Sequence, residues 1–143
     1  MHIRDVMTPN PRTVSPSDTI QNAARVMRDE DTGVVPVVEN GRAIGMLTDR
    51  DIAIRAVADG SQPNRPVRDI ITSAVVTATP DMSTREAAQL MSEHQIRRLP
   101  VVENERLVGI ISLGDIAVKE GKDSRSGDTL QAISEGVKER ERG

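Results

Sequence analysis

The chain matches itself at an offset of 64 residues, without a gap. Arg4–Thr8 (RDVMT) falls on Arg68–Thr72 (RDIIT), and Ala23–Met27 (AARVM) on Ala87–Met91 (AAQLM). Pro36–Asn40 falls on Pro100–Asn104, PVVEN in both, and Gly45–Ala53 (GMLTDRDIA) on Gly109–Ala117 (GIISLGDIA). Thr13 and Pro16 meet Thr77 and Pro80 in the same register. One supersecondary unit is therefore used twice. A unit of about 55 residues has a marginal core by itself. Two copies with matching apolar sheet faces are expected to bury each other about a pseudo-two-fold axis, which leaves two equivalent clefts between them. The predicted boundaries are 1–60 for the first repeat and 67–120 for the second. The linker, 61–66, falls in the turn-forming run ADGSQPNRP (Ala58–Pro66). Residues 121–143 have no counterpart in the repeat and read as a polar tail.

Both copies read alike locally. Thr13–Val14 and Val76–Thr79 are short extended lead-ins stopped by Pro16 and Pro80. A helix follows, with Ile20, Ala23, Ala24 and Met27 at the i, i+3, i+4, i+7 spacing of one apolar face. In the second copy Ser83-x-x-Glu86 is a capping box, and Ala87, Ala88 and Met91 continue the face. Next comes a strand, Val34–Val38. Asn40-Gly41 is a strong type I′ hairpin signal, because both residues tolerate positive φ. The return strand is Ala43–Leu47. The second copy turns at Asn104-Glu105, chemically poorer but at the same place. A second helix starts near Asp49 and near Leu113. The fold class is α+β: two β-α-β-β-α units, each with a small, mostly three-stranded sheet and two helices. In the tail Leu130, Ile133 and Val137 stand at helical spacing after Asp128. They form either a solvated, frayed helix or one that docks on a second subunit.

Composition removes several function classes. There is no cysteine, hence no disulfide and no thiolate metal site, and two histidines, His2 and His94, do not make a zinc site. No metal is expected. Phe, Trp and Tyr are absent too. The core must be Val, Ile, Leu, Met and Ala, and a nucleobase could stack on no ring. The net charge of −3 lacks the basic excess of a DNA-binding protein. No apolar run approaches the ~18 residues of a membrane span, and the N-terminus lacks the apolar region of a signal peptide. A cytoplasmic location is expected. No Ser–His–acid set, glycine-rich phosphate loop or paired-carboxylate motif is recognisable, so an enzyme is not expected.

The chemistry that remains is the twice-used Ser/Thr-x-x-Asp: Thr48 with Asp51, and Ser112 with Asp115. One reading is a helix cap, with the hydroxyl accepting a first-turn N–H and the carboxylate reaching back. The other is a ligand site. Glu or Gln is the usual reach-back partner, since the shorter Asp reaches less well, and the motif follows a strand directly, at a helix start suited to an anion. The two are compatible, because a carboxylate has acceptor capacity for two hydroxyl donors. Arg97 and Arg98, adjacent before a strand, point to opposite faces. They either guard a strand edge or fork onto phosphate. The first copy has Gly33-Val34 there, so the two clefts differ chemically. Asp49 suits a helix start by the dipole, whereas Arg50 does not and would meet an anion instead.

Taken together, two hairpins each ending in Gly-apolar-apolar-Ser/Thr-x-x-Asp, the stretch EHQIRRLPVVE (Glu93–Glu103) and the lead-in TVSPSDTIQNAARVM (Thr13–Met27) resemble a pair of cystathionine-β-synthase (CBS) domains, the Bateman module. The likeness covers about 120 residues. With LTDRDIAIRAVADG, the layout is also similar to small stand-alone bacterial stress- or hypoxia-response CBS proteins. The resemblance implies a non-enzymatic sensor or regulatory module. It would take an adenosine-containing ligand (AMP, ADP, ATP or S-adenosylmethionine) in the clefts and require no cofactor. It implies that Asp51 with Thr48, and Asp115 with Ser112, hold the ribose or its phosphate. It implies a base against Thr13, Val14, Val34 and Pro36, and against Thr77, Ala78, Leu99 and Pro100. Arg97 and Arg98 are basic residues of the kind this family places at that position. A homodimer is expected, with a protein partner to carry the output. The rival reading is a structural dimerisation or protein-interaction module with empty clefts.

Overall fold

The computed structural model describes residues 1–73 and 76–120. The expected polar tail, 121–143, lies outside the described residues. In chain order the elements are β1 (Thr8–Pro9), α1 (Ile20–Glu30), β2 (Val34–Glu39), β3 (Arg42–Thr48), α2 (Asp49–Asp51), β4 (Thr72–Ser73), α3 (Thr84–His94), β5 (Arg98–Glu103), β6 (Arg106–Ser112) and α4 (Leu113–Glu120). The helix opened by α2 continues as a π-helical stretch, Ile52–Val57. The fold is α+β.

The caps follow from the sequence. The Thr19 hydroxyl accepts the Asn22 N–H at 3.0 Å to start α1, and the Ser83 hydroxyl accepts the Glu86 N–H at 3.0 Å to start α3. Each satisfies a first-turn donor that the helix cannot. Both helices end on a left-handed residue, Asp31 (φ 51°) and Gln95 (φ 53°). The buried stripe of α1 is Ile20, Ala23, Val26 and Met27. Ala24, expected on that stripe, is exposed, whereas its match Ala88 is buried. In α3 the stripe is Thr84, Ala87, Ala88 and Met91.

Both hairpins form at the expected turns. Asn40 and Gly41 take φ of 54° and 80°, and Asn104 and Glu105 take 52° and 67°. Glu105 thus adopts the left-handed conformation that glycine serves in the first repeat, at a steric cost its side chain brings. The lead-ins shrink to single-residue parallel bridges, Val14 to Val37 and Ala78 to Val101. A proline shortly before or after leaves them no room to extend.

The third strand of each sheet comes from elsewhere. The sheet orders are β2-β3-β4 and β1-β6-β5. β4 runs antiparallel to β3, with Gly45 opposite Ser73, and β1 runs antiparallel to β6, with Gly109 opposite Pro9. The motif glycines are explained by this close approach. A β-carbon on Gly45 would lie 2.8 Å from the Thr72 carbonyl oxygen and 2.9 Å from Ile71 Cδ1. One on Gly109 would lie 3.0 Å from the Thr8 carbonyl oxygen.

The described residues form two compact units: 11–73 with 105–107, and 1–10 with 76–104 and 108–120. Each has its own aliphatic core. In the former, Val14, Ile20, Ala23, Val26, Met27, Val35, Val37, Leu47, Ala56, Val67 and Ile70 are buried together. In the latter, Ile3, Val6, Ala78, Ala87, Ala88, Met91, Leu99, Val101, Ile111, Leu113 and Ile116 are. The turn-rich run after the π stretch is held against α1: the Ile20 and Gln21 N–H groups donate to the Arg65 and Pro63 carbonyls at 2.9 and 3.0 Å. The caps at Thr19 and Ser83 thus fix helices whose buried stripes close a core beneath each strand-to-helix junction.

Candidate functional site

Each unit places one Ser/Thr-x-x-Asp where its longest strand runs into a helix. At the end of β3 the Thr48 hydroxyl accepts the Asp51 N–H at 3.1 Å, and Asp51 Oδ2 accepts the Thr48 N–H at 3.0 Å. At the end of β6 the Ser112 hydroxyl accepts the Asp115 N–H at 3.0 Å, and Asp115 Oδ2 accepts the Ser112 N–H at 2.9 Å. Both are complete reciprocal boxes. Aspartate, expected to reach back less well than glutamate, closes the box in both copies. The extended Thr48 backbone (φ −112°, ψ 160°) brings its N–H down to the shorter side chain. A further backbone bond clamps each junction to the start of the neighbouring strand: Asp49 N–H to the Gly33 carbonyl at 2.9 Å, and Leu113 N–H to the Arg97 carbonyl at 2.8 Å.

The cap uses one acceptor position of each carboxylate. An ionised carboxylate offers about four. Thr48, Asp51, Ser112 and Asp115 are all half-buried, so the unused positions face a partly desolvated edge. The two carboxylates differ in their other oxygen. Asp51 Oδ1 lies 3.8 Å from Arg55 Nε, and Arg55 Nη1 donates to the Ile70 carbonyl at 3.3 Å. Among the described residues Asp115 has no ion pair, and its match to Arg55 is Lys119.

The other expected site residues divide by burial. Val14 is buried; its N–H donates to the Pro36 carbonyl at 3.1 Å, and its carbonyl accepts the Val38 N–H at 2.9 Å. Ala78 repeats this with Pro100 at 2.9 Å and Val102 at 2.8 Å. The N–H groups of Val14 and Ala78 are therefore spent within the sheet, and only a second lone pair on each carbonyl is left for a ligand. Val34, Pro36, Leu99 and Pro100 are buried, and Val34 stands opposite Thr48 in the hairpin register. Thr13 and Thr77 are exposed, as are Arg50, Arg97 and Arg98. In each unit the capped carboxylate thus follows one strand of the hairpin, and the other hairpin strand carries the one-residue lead-in bridge.

One cavity escaped the sequence reading. An open pocket of about 460 Å³ lies in the unit of the first repeat, where the end of α1 meets the start of α2; Met27, Arg28, Asp31, Gly33, Asp49 and Ile52 are among its walls. Asp49 Oδ2 sits 2.8 Å from where a β-carbon on residue 33 would be, so the missing side chain makes room for this carboxylate. The sequence signal was the divergence of the copies, Gly33 and Asp49 standing where the second has Arg97 and Leu113. Among the described residues no group of three or more His, Cys, Asp or Glu could hold a metal ion. None of their helices is long and apolar enough to cross a membrane.

A duplicated α+β unit with a capped carboxylate at each strand-to-helix junction defines a tandem-repeat module. The family model described as CBS domain matches residues 3–57 and 67–119, and the chain belongs to the CBS domain family. It is 47% identical over 132 residues to the CBS domain-containing protein YhcV of Bacillus subtilis (strain 168), covering 92% of this chain and 94% of that one. The crystal structure of Hypoxic Response Protein I with two coordinated zinc ions is similar at a TM-score of 0.77 and 37% identity, over 82% of this chain and 98% of that one. The CBS domain pair of protein MJ0100, in complex with 5′-methylthioadenosine and S-adenosyl-L-methionine, is similar at a TM-score of 0.77 and 29% identity, over 87% and 98%.

Proposed function

We propose that this CBS pair is a non-enzymatic regulatory module that binds an adenosine-containing ligand, of the AMP, ADP, ATP or S-adenosylmethionine type. Asp51 and Asp115 accept the ribose hydroxyls. The observation that carries this reading is the pair of carboxylates, each pinned by one oxygen to its own cap N–H and keeping acceptor capacity on the other. A ribose diol supplies the two O–H donors such a group can take. The complex of the MJ0100 pair with two adenosine derivatives supports the ligand class. Thr48 and Ser112 assist at the ribose or phosphate. The base lies against Thr13, Val14, Val34 and Pro36, or against Thr77, Ala78, Leu99 and Pro100. Arg50, Arg97 and Arg98 are exposed cations suited to a phosphate tail. Binding would favour one conformation by its differential affinity, and the output would pass through a homodimer or a protein partner. Self-association is supported by Ile54 and Val118, matched across the repeat and left 49% and 83% exposed.

The completeness of both capping boxes favours a second reading, a structural interaction module in which Asp51 and Asp115 only finish helices. Absorbance separates the two cheaply. Without Trp or Tyr the chain absorbs almost nothing near 280 nm, so a clear 260 nm band in nucleic-acid-free protein is bound nucleotide. Titration calorimetry with AMP, ADP, ATP and S-adenosylmethionine then decides. Saturable heat with any of them supports the sensor, and none at millimolar ligand leaves the structural module.

A further inference from the structure

The two repeats carry the same capped aspartate, yet among the described residues only the first has a cation beside it. Arg55 Nε stands 3.8 Å from Asp51 Oδ1, while its Nη1 is tied to the carbonyl of Ile70, a buried residue. Oδ2 of the same carboxylate already accepts the Thr48 N–H. Asp51 thus has a cation facing its remaining oxygen, with its side chain only 15% exposed. Arg55 also lies in the π-helical stretch Ile52–Val57, closed by the Ala58 N–H donating to the Ala53 carbonyl at 3.0 Å. The second repeat runs there as an ordinary α-helix, Leu113–Glu120, with Lys119 in place of Arg55. A π stretch re-aims the side chains that follow it, and such stretches recur at functional sites.

We propose that Arg55 is a gate on the first half-site: it competes with ligand hydroxyls for Asp51, so the second half-site, built on Asp115, fills at lower ligand concentration. The proposal rests on the ribose reading of Asp51 and Asp115. A guanidinium is a donor only, like the hydroxyls it opposes, and both seek Oδ1. Arg55 is half exposed, so it can swing away when a diol arrives and return when the diol leaves. Its second anchor on Ile70 keeps it close. The chain then has two thresholds for one ligand instead of two equal sites. An exposed ion pair of this length is worth little, which sets the gap between the thresholds at roughly 2–5-fold in affinity.

The test is calorimetric titration of the full chain with AMP. Asp115→Asn isolates the first half-site and Asp51→Asn the second. On the Asp115→Asn background, Arg55→Met keeps the aliphatic stem but removes the charge, and it should tighten AMP binding about 2–5-fold. On the Asp51→Asn background, Lys119→Met should leave it unchanged, because Asp115 has no ion pair among the described residues, and an equal tightening there would overturn the gate. A shift confined to the first half-site is not what a loss of stability would give, and far-UV circular dichroism checks that each variant is folded. If Arg55→Met is unfolded, Arg55→Lys takes its place, with the smaller tightening expected of the second repeat's own residue. Unchanged or weaker AMP binding after removal of the Arg55 charge, in a chain whose wild type binds AMP, overturns the gate alone. A wild type that binds none of AMP, ADP, ATP and S-adenosylmethionine overturns the ribose reading, and the gate with it.

Discussion

Replacing Thr48 by Ala and Asp51 by Asn separates the two roles of the first motif. The Thr48 hydroxyl takes the Asp51 N–H, and the Asp51 carboxylate takes the Thr48 N–H, at 3.1 and 3.0 Å. Thr48→Ala leaves a half-buried N–H without its acceptor, a loss of about 1–2 kcal/mol on the scale of N-cap deletions. Asp51→Asn keeps an oxygen in the same place and loses only the charge at the helix start, about 0.3–1 kcal/mol. For a chain of this size 1 kcal/mol moves Tm by roughly 3–5 °C. Thr48→Ala should therefore melt several degrees below wild type, and Asp51→Asn only a few. Affinity should run the other way. A hydrogen bond to a charged acceptor contributes about 1.5–3 kcal/mol, and Asn offers an amide in place of one acceptor oxygen. Asp51→Asn should weaken ligand at the first half-site by roughly 10–150-fold, and Thr48→Ala by only a few-fold. Melting is followed by far-UV circular dichroism, since no aromatic side chain reports on the core, and binding by calorimetry on the same samples. The reasoning is refuted if Asp51→Asn melts lower than Thr48→Ala and binds ligand as wild type does, for then Asp51 is a cap and nothing more.

Four further substitutions probe the scaffold beneath the site. Gly45→Ala and Gly109→Ala force a β-carbon against the Thr72 and Thr8 carbonyl oxygens; each should cost about 1–3 kcal/mol as overpacking, read as a lower urea midpoint. Met91 is fully buried and its match Met27 nearly so, at 0% and 6% exposed. Met91→Ala should lose about 2–5 kcal/mol, and a loss below 1 kcal/mol would show that the aliphatic core closes over the gap. Glu105→Gly removes the left-handed strain of the second hairpin, worth about 1–2 kcal/mol, against a greater loss of chain entropy of about 0.4–1 kcal/mol and an exposed Arg42–Glu105 pair that contributes little. A small rise in Tm is expected, and a fall would mean that the pair outweighs the strain.

Much of the site scaffold was legible because it is local. Thr19 and Ser83 cap helices where their spacing says, and Asn40-Gly41 turns as its φ tolerance requires. The repeat register even carried the turn to Asn104-Glu105, where the chemistry alone was poor. The reach of Asp51 and Asp115 was not legible, because it depends on the backbone angles of the residue before the helix, not on side-chain length alone. The π stretch at Ile52–Val57 and the latch of Arg55 on Ile70 had no periodic signature. Ala24 fits the apolar stripe by spacing and is nonetheless exposed, because none of the described residues covers it.

The 64-residue echo by itself determined that one unit is used twice and where each aspartate meets its helix. Which short strand completes which sheet was decided only by tertiary structure. RDVMT and RDIIT are nearly the same sequence, and β3 and β6 present the same glycine edge to either. Two-residue strands carry too little local preference to choose. The choice falls to non-local contacts: Thr72–Ser73 pairs with β3 while Ile70 lies in the core of Leu47, and Thr8–Pro9 pairs with β6 while Ile3 and Val6 lie in the core of Ile111. A repeat hides that choice from its own sequence, because it makes both partners look alike.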